Sequence, residues 1–203
     1  MIRNLIFDVG GVLIDYLPEK YLKSFGWDEE TNRRVAAATY LSPVWQDRDA
    51  GLGTEDELVR RFVANDPEQE PLIRQFMAHS ERTCTERPGS EAWVKGLKDA
   101  GFRLYLLSNY SEYMWELQEP TFRFVPYFNG GIISYRYRTR KPFPEIYRLL
   151  LDTYRLKPEE CVFLDDTAEN LRAAEAFGIR TLQVATQEQA REDLARLLDG
   201  GSC

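Results

Sequence analysis

Three apolar runs of this sequence, each typical of a buried parallel strand, end directly in polar side chains. In an open α/β sheet, ligands bind at the carboxyl ends of the parallel strands, and these ends lie along one edge. The polar residues at the three ends are Asp8, Ser108, Asn109, Asp165 and Asp166. We therefore expect three carboxylates, a hydroxyl and an amide to lie close together in the fold.

Three carboxylates at one place need a compensating charge. They would repel one another by several kcal/mol at the low effective dielectric of a protein interior, unless a cation lies among them. Ligand sets made of oxygen alone, without paired histidine or cysteine, favour Mg²⁺ over zinc. The sequence therefore predicts Mg²⁺ as the cofactor. Gly10 and Gly11, which follow Asp8 closely, let the backbone turn sharply and approach a ligand.

A lysine and a serine are placed to bind an anion at the same edge. Lys141 stands shortly before a predicted helix, and Ser108 ends a predicted strand. Together with Mg²⁺ they would form a clamp for a tetrahedral dianion such as phosphate. A carboxylate held in line with phosphorus, as Asp8 would be, can attack it and form an aspartyl-phosphate.

The elements that must position these residues follow two patterns. From Pro88 onward, helical and strand patterns alternate, which predicts βαβ units in a parallel sheet. Residues 15–86 show helical patterns only, one of them starting with a capping box at Thr54. The sequence predicts an α/β protein with a Rossmann-like core of residues 1–14 and 87–203 and an all-helical insert after the first strand. The predicted strands are residues 5–7, 102–107, 128–133, 161–164 and 181–184.

Composition narrows the class of protein. The 203 residues are 43% hydrophobic and 29% charged, which is ordinary for a globular protein. A net charge of -7 argues against electrostatic binding of nucleic acid, so the basic and aromatic residues 135–140 are expected to form a solvated edge. No apolar run approaches the roughly 20 residues of a membrane-spanning helix. Three widely spaced cysteines and no secretion pattern predict reduced thiols in a cytoplasmic protein. The oligomeric state stays open.

Four segments resemble, in order, the four motifs of the haloacid dehalogenase superfamily. They are residues 7–13, 107–109, 140–147 and 163–170. The insert after the first strand matches the helical cap of the first subclass of this superfamily. The last two motifs resemble the branch that includes phosphatases of the α-D-glucose-1-phosphate type. The resemblance covers the whole chain and implies a Mg²⁺-dependent phosphatase whose partner is a small-molecule phosphate ester, such as a sugar phosphate.

The same resemblance implies a set of metal ligands. Asp8 is the nucleophile and a ligand of Mg²⁺, and the carbonyl oxygen of Gly10 is a second ligand. Asp166 is a third ligand, whereas Asp165 binds the ion either directly or through water. Asn170 is expected to orient this acidic loop.

The phosphate group has its own expected partners. By resemblance, Ser108 and Asn109 bind the phosphate, and Lys141 neutralises both the phosphate and Asp8. The backbone N–H groups near Gly10 would add further hydrogen-bond donors.

Gly10 departs from the pattern of most phosphatases of this superfamily, which carry there a second Asp as general acid and base. Its loss normally costs roughly 10²–10⁴-fold in rate. Asp15, Tyr16 or a cap residue could supply the proton, or the leaving group could be good enough to need little help. Alternatively, the protein binds a phosphorylated ligand and turns it over poorly. A metal-independent haloacid dehalogenase also lacks this Asp. The last motif of such an enzyme does not contain two adjacent aspartates, however, so the pair Asp165 and Asp166 of this chain favours the phosphatase.

Substrate-binding residues of the cap are less clearly marked. Asp15 and Tyr16 stand at the junction of core and insert, where they would reach the substrate. Trp45 and Arg48 either face the cleft or serve as cap core and surface ion pair, and the sequence leaves both interpretations open. His79 lies in a polar segment and is predicted to be a surface residue, not a catalytic base.

Overall fold

The computed structural model describes residues 1–200 of the chain. The strands of this part, in chain order, are β1 (Asn4–Phe7), β2 (Ile14–Tyr16), β3 (Cys84–Glu86), β4 (Arg103–Ser108), β5 (Gly130–Ile133), β6 (Cys161–Asp165) and β7 (Arg180–Gln183). Five of them form a wholly parallel sheet in the order β5-β4-β1-β6-β7. The predicted α/β class is therefore confirmed, with each predicted strand present.

The sheet is covered on both sides, which explains why residues 5–7 of β1 form a continuous apolar run. Leu5 and Phe7 pack into one hydrophobic cluster, and Ile6 packs into the other. The helices of the described chain are α1 (Pro18–Lys23), α2 (Glu29–Ala38), α3 (Pro43–Asp49), α4 (Glu55–Asn65), α5 (Glu70–Met77), α6 (Ser90–Asp99), α7 (Glu112–Gln118), α8 (Pro144–Tyr154), α9 (Ala168–Glu175) and α10 (Gln187–Asp199). Residues of α6 and α10 belong to the cluster of Phe7, and residues of α8 and α9 to that of Ile6.

Helices α1 to α5 lie between β2 and β3 and form the cap. The capping box predicted at the start of α4 is confirmed, since the Thr54 side chain accepts from the Glu57 N–H and the Glu57 side chain accepts from the Thr54 N–H. Phe62 of α4 and Phe76 of α5 are fully buried in the cap interior. Both residues belong to the same hydrophobic cluster as Phe7 of β1, so the interior of the cap is continuous with one face of the sheet.

A short antiparallel ribbon of β2 and β3 stands at the base of the cap, with Tyr16 opposite Cys84 and Ile14 opposite Glu86. The prediction that no strand interrupts residues 15–86 was wrong on this point. Each strand has three residues, which is too short for an alternating pattern to stand out, and its partner is distant in the chain. The ribbon is thus formed by tertiary pairing, not by local propensity.

The described cysteines form no disulfide. Cys84 and Cys161 are free, buried thiols, whereas Cys203 lies outside the described residues. Among the helices of residues 1–200, none is both long enough and apolar enough to cross a membrane.

Candidate active site

Parallel register brings the predicted acidic residues together. Phe7 of β1 lies opposite Leu164 of β6, so Asp8 and Asp165 follow at the same level on neighbouring strands. The Asp8 N–H donates to the Leu164 carbonyl at 2.9 Å, which holds Asp8 against β6. The carboxyl edge of the sheet therefore positions both carboxylates through main-chain pairing.

Lys141 is buried between these two carboxylates. Its Nζ lies 2.9 Å from Oδ1 of Asp8 and 2.7 Å from Oδ2 of Asp165. Burial alone would lower the pKa of Lys141, but the charges of Asp165 and Asp8 raise it above its ordinary value. The lysine therefore stays charged and pairs with Asp8, which supports the expectation that it neutralises this carboxylate.

Asn109 holds the backbone of Lys141. Its Oδ1 accepts from the Lys141 N–H at 2.7 Å, and its Nδ2 donates to the Lys141 carbonyl at 3.0 Å. One of the two Nδ2 hydrogens is used in this way, so the other could still donate to the phosphate, as the sequence predicts. Sequence reasoning missed the positioning contact with Lys141 because it joins two segments that are distant in the chain.

Asp165 is saturated with hydrogen-bond donors. Besides Lys141, its oxygens accept from the Thr167 N–H at 2.8 Å and from Nδ2 of Asn170, which lies 3.1 Å from each of them. This arrangement supports the predicted orienting role of Asn170. It also favours contact of Asp165 with a metal ion through water, since direct ligation would compete with these bonds.

Asp8, Asp165 and Asp166 together fit a hard divalent cation. Each offers one carboxylate oxygen, and these three atoms lie within 4.8 Å of one another. The pKa of Asp8 is raised to about 7, chiefly by burial and in part by the charges of Asp165 and Asp166, against the lowering effect of Lys141. The single positive charge of Lys141 does not balance three carboxylates, so Mg²⁺ would stabilise this set of oxygen atoms. The proposed ligands are Asp8, Asp166 and the Gly10 carbonyl.

Gly11 makes room for Asp166. Its φ is +69°, and a Cβ at this position would overlap Oδ2 of Asp166. Only glycine meets both conditions without strain. Close packing of Gly11, in the turn after β1, against Asp166, after β6, therefore fixes the position of Asp166.

We expect Gly11→Ala to weaken Mg²⁺ binding by about 10–100-fold, the usual effect of disturbing the support of a metal ligand. Calorimetric titration with Mg²⁺ measures this. Gly26→Ala is the matched control, because Gly26 has a φ of +73° but its Cβ would meet nothing within 4 Å. Equal Mg²⁺ affinity of the two variants would contradict the assignment of Asp166 as a ligand.

Ser108 offers an unused donor at the end of β4. Its hydroxyl is buried and has no hydrogen-bond partner within the described residues. Leaving such a group unsatisfied costs about 1–3 kcal/mol, which a bound anion would recover. This observation supports the predicted role of Ser108 in binding phosphate.

A cavity of about 220 Å³ lies between the core and the cap beside Gly10. It is lined by Gly10, Ile14, Tyr16, Tyr40, Trp45, Asp49, Cys84, Asn109, Tyr110, Ser111 and Met114. Most of these side chains are apolar or aromatic, and Asp49 supplies a carboxylate that sequence reasoning missed. Nothing in the local pattern marks Asp49, because it is simply the last residue of α3.

Only some of the predicted substrate-binding residues at the cap line the cavity. Tyr16 and Trp45 line the cavity. Asp15 precedes Tyr16 on β2, and its side chain points away from the cavity because side chains alternate along a strand. It pairs instead with Arg87 at 2.6 Å. Arg48 is buried and bonded to Glu55, so it is neither a cleft residue nor a surface ion pair.

The environment of Arg48 explains its burial. Its guanidinium also donates to Oγ of Ser80 at 2.9 Å and lies over the ring of Trp45, 5.0 Å from the centroid. These contacts link three cap segments. His79 is exposed, as predicted, and its ring faces Glu81 at 3.3 Å.

Comparison with known proteins adds a family and several relatives. A family model described as haloacid dehalogenase-like hydrolase matches residues 2–178. Mouse acyl-CoA dehydrogenase family member 10 is 26% identical over 220 residues, which cover 97% of this chain and 19% of that protein. The chain therefore spans about a fifth of the mouse protein.

A curated enzyme and a solved structure, both from one bacterial species, match this chain over nearly their whole length. D-ribitol-5-phosphate phosphatase from Bacteroides thetaiotaomicron is 22% identical over 211 residues, which cover 98% of this chain and 100% of that enzyme. A HAD family enzyme from the same species, crystallised with magnesium and inorganic phosphate, has a TM-score of 0.71 and 23% identity, covering 90% of this chain and 94% of that one. At this identity the structural likeness establishes the fold.

Proposed function

The chain belongs to the haloacid dehalogenase-like hydrolase family, and we propose that it is a Mg²⁺-dependent phosphatase that acts on a small phosphorylated metabolite through an aspartyl-phosphate on Asp8. The observation that carries this proposal is the buried ion pair of Lys141 with Asp8, beside two further carboxylates. The phosphatase and the magnesium and phosphate complex among the similar proteins support it.

The geometry suits attack on phosphorus. Oδ1 of Asp8 is held by Lys141 and by the Val9 N–H at 2.7 Å, which leaves Oδ2 as the nucleophilic atom. Ser108 would donate to a phosphoryl oxygen, and Lys141 would offset its charge. A Mg²⁺ ion held by Asp8, Asp166 and the Gly10 carbonyl would supply further charge neutralisation for the phosphoryl group.

The cavity sets the size of the substrate that we propose. It admits a small group, and its aromatic lining can stack on the face of a sugar or another small ring. Closure of the cap over this space would exclude bulk water while the phosphoryl group is transferred. A sugar phosphate is an example of the small phosphorylated metabolites that we propose as substrates. The expected location of the protein is the cytoplasm.

A panel of phosphorylated metabolites assayed with Mg²⁺ and with EDTA tests the proposal. We expect release of phosphate from at least one small ester, and a fall by roughly 10²-fold or more when EDTA removes the metal. Hydrolysis of 2-haloacids that is unchanged by EDTA would instead identify a dehalogenase, the alternative that Gly10 leaves open. Calorimetric binding of Mg²⁺ and phosphate without turnover of any ester would identify a phospho-ligand-binding module.

A further inference from the structure

The turn after β1 lacks a carboxyl group where a phosphatase of this kind would use one. Gly10 occupies that position, and a Cβ built there would meet nothing within 4 Å. The cavity beside Gly10 contains a carboxylate from elsewhere, that of Asp49, which is the sole acidic residue among those that line it. Gly10, where the carboxyl group is missing, and Asp49, which supplies one, therefore line the same cavity.

Asp49 differs from the other partly buried acids of the cap because its side chain has no partner in the described chain. Within residues 1–200, its carboxylate takes part in no hydrogen bond or salt bridge, although the residue is partly buried. Asp47, two residues earlier on the same helix, instead pairs with Arg61. An unpaired, partly buried carboxyl group costs stability, so its presence in the cavity calls for a function.

The position of Asp49 is set by the core as well as by the cap. Its carbonyl accepts a hydrogen bond from Oγ of Ser134, which follows β5 and also accepts from the Tyr110 N–H at 2.9 Å. Two residues on, Gly51 has a φ of +67°, and a Cβ there would overlap the carbonyl of Tyr135. The end of α3 is therefore seated on the same edge of the sheet as the phosphate-binding residues.

The surroundings of Asp49 favour a proton that can be given up near neutral pH. Burial raises its pKa to about 7, against the lowering effect of the charges of Arg48, Arg140 and Lys141. The other ionisable groups that face it are Tyr16, Cys84 and Tyr110, whose own pKa values are raised, chiefly by burial, so that they stay neutral. A group that is half protonated near the working pH is the most effective general acid and base.

We propose that Asp49 is the general acid and base of this enzyme, supplied by the cap in place of the residue missing at Gly10. The inference rests on the phosphatase function proposed above. Asp8 attacks phosphorus, the bond from phosphorus to the leaving oxygen breaks, and protonated Asp49 gives its proton to that oxygen, so that an alcohol departs. Water then attacks the aspartyl-phosphate, ionised Asp49 takes a proton from it, and the bond from Asp8 to phosphorus breaks.

Two probes that differ in their leaving group test this role. Benzyl phosphate releases a poor alkoxide that needs a proton, whereas p-nitrophenyl phosphate releases a stable phenolate that does not. We expect Asp49→Asn to lower kcat/KM for benzyl phosphate by roughly 10²–10⁴-fold but that for p-nitrophenyl phosphate by less than about 10-fold. Asp47→Asn, the matched change on the same helix, should leave both values unchanged.

The pH profile provides an independent readout. For benzyl phosphate, kcat/KM of the wild type should fall as pH rises through about 7, because Asp49 loses its proton, and this limb should be absent from Asp49→Asn. Recovery of benzyl phosphate hydrolysis in the double variant Asp49→Asn/Gly10→Asp would confirm that the lost contribution is proton transfer.

Thermal melts separate a chemical loss from a folding defect. The folded state holds the Asp49 proton more tightly than the unfolded chain does. The stability linked to it is therefore complete below about pH 4 and is lost as pH rises to about 7. Asp49→Asn should consequently melt at a higher temperature than the wild type at about pH 8, and the difference should shrink toward about pH 4.

The outcomes distinguish the two proposals. Equal losses on both probes, or no loss on either, would overturn the role of Asp49 while leaving the phosphatase function standing. Failure of the wild type to release phosphate from either probe and from every ester of the metabolite panel, with Mg²⁺ present, would overturn both. A loss confined to benzyl phosphate, with the basic limb gone, would establish Asp49 as the acid.

Discussion

Asp8→Asn is expected to reduce phosphatase turnover by at least roughly 10³-fold, because asparagine cannot form the covalent phosphoenzyme. The measurement is phosphate release from the best ester of the panel, with Mg²⁺ present. Acid-quenched wild-type protein should also carry the added mass of one phosphoryl group, and the variant should not. Asp99→Asn, which changes an exposed carboxylate paired with Lys95, is the control and should turn over normally.

The same substitution should not destabilise the protein in the absence of Mg²⁺. Burial and the charges of Asp165 and Asp166 disfavour the ionised form of Asp8, so a neutral amide of the same size relieves repulsion. Active-site charges commonly trade stability for function in this way. A variant that stays folded yet retains most of its turnover would contradict the aspartyl-phosphate mechanism.

Lys141→Met should be the most destabilising of the substitutions considered for the site. Lys141 has 1% of its surface exposed and pairs with Asp8 and Asp165. Removing one partner of a buried ion pair leaves uncompensated charge, which costs about 3–5 kcal/mol. We expect a loss of this size in the free energy of unfolding, measured by urea denaturation without Mg²⁺, and a loss of phosphatase activity.

Added Mg²⁺ should restore part of the stability of Lys141→Met, because a dication among the acids replaces the missing positive charge. The matched control is Lys95→Met, which breaks a surface pair with Asp99 on α6 and should cost less than about 1 kcal/mol. Equal destabilisation by the two changes, or no response of Lys141→Met to Mg²⁺, would show that the buried charges are not balanced as we propose.

Local signals in the sequence determined most of the fold. The apolar run of β1, the glycines after it and the capping box at Thr54 each act over a few residues, so they can be recognised without a structure. Acidic residues at strand ends could also be assigned to one site, because parallel strands share an edge. Asp8, Lys141 and Asp165 meet there, as predicted.

The tertiary structure decided how the cap meets this edge. Strand β2 is too short to be recognised, so the sequence could not tell that Tyr16 faces the cavity while Asp15 points to Arg87. For the same reason, Arg48 could not be placed inside the cap.

Asp49 is the clearest example of a site residue that the sequence could not predict. Whether the last residue of a cap helix reaches a catalytic edge depends on contacts between segments distant in the chain, here with Ser134 and Tyr135. Periodicity and capping reflect interactions within one element, and they carry no information about which side chains two packed domains present to each other. The sequence by itself therefore determined the core fold and its acidic edge, whereas only the tertiary structure decided what lines the cavity above that edge.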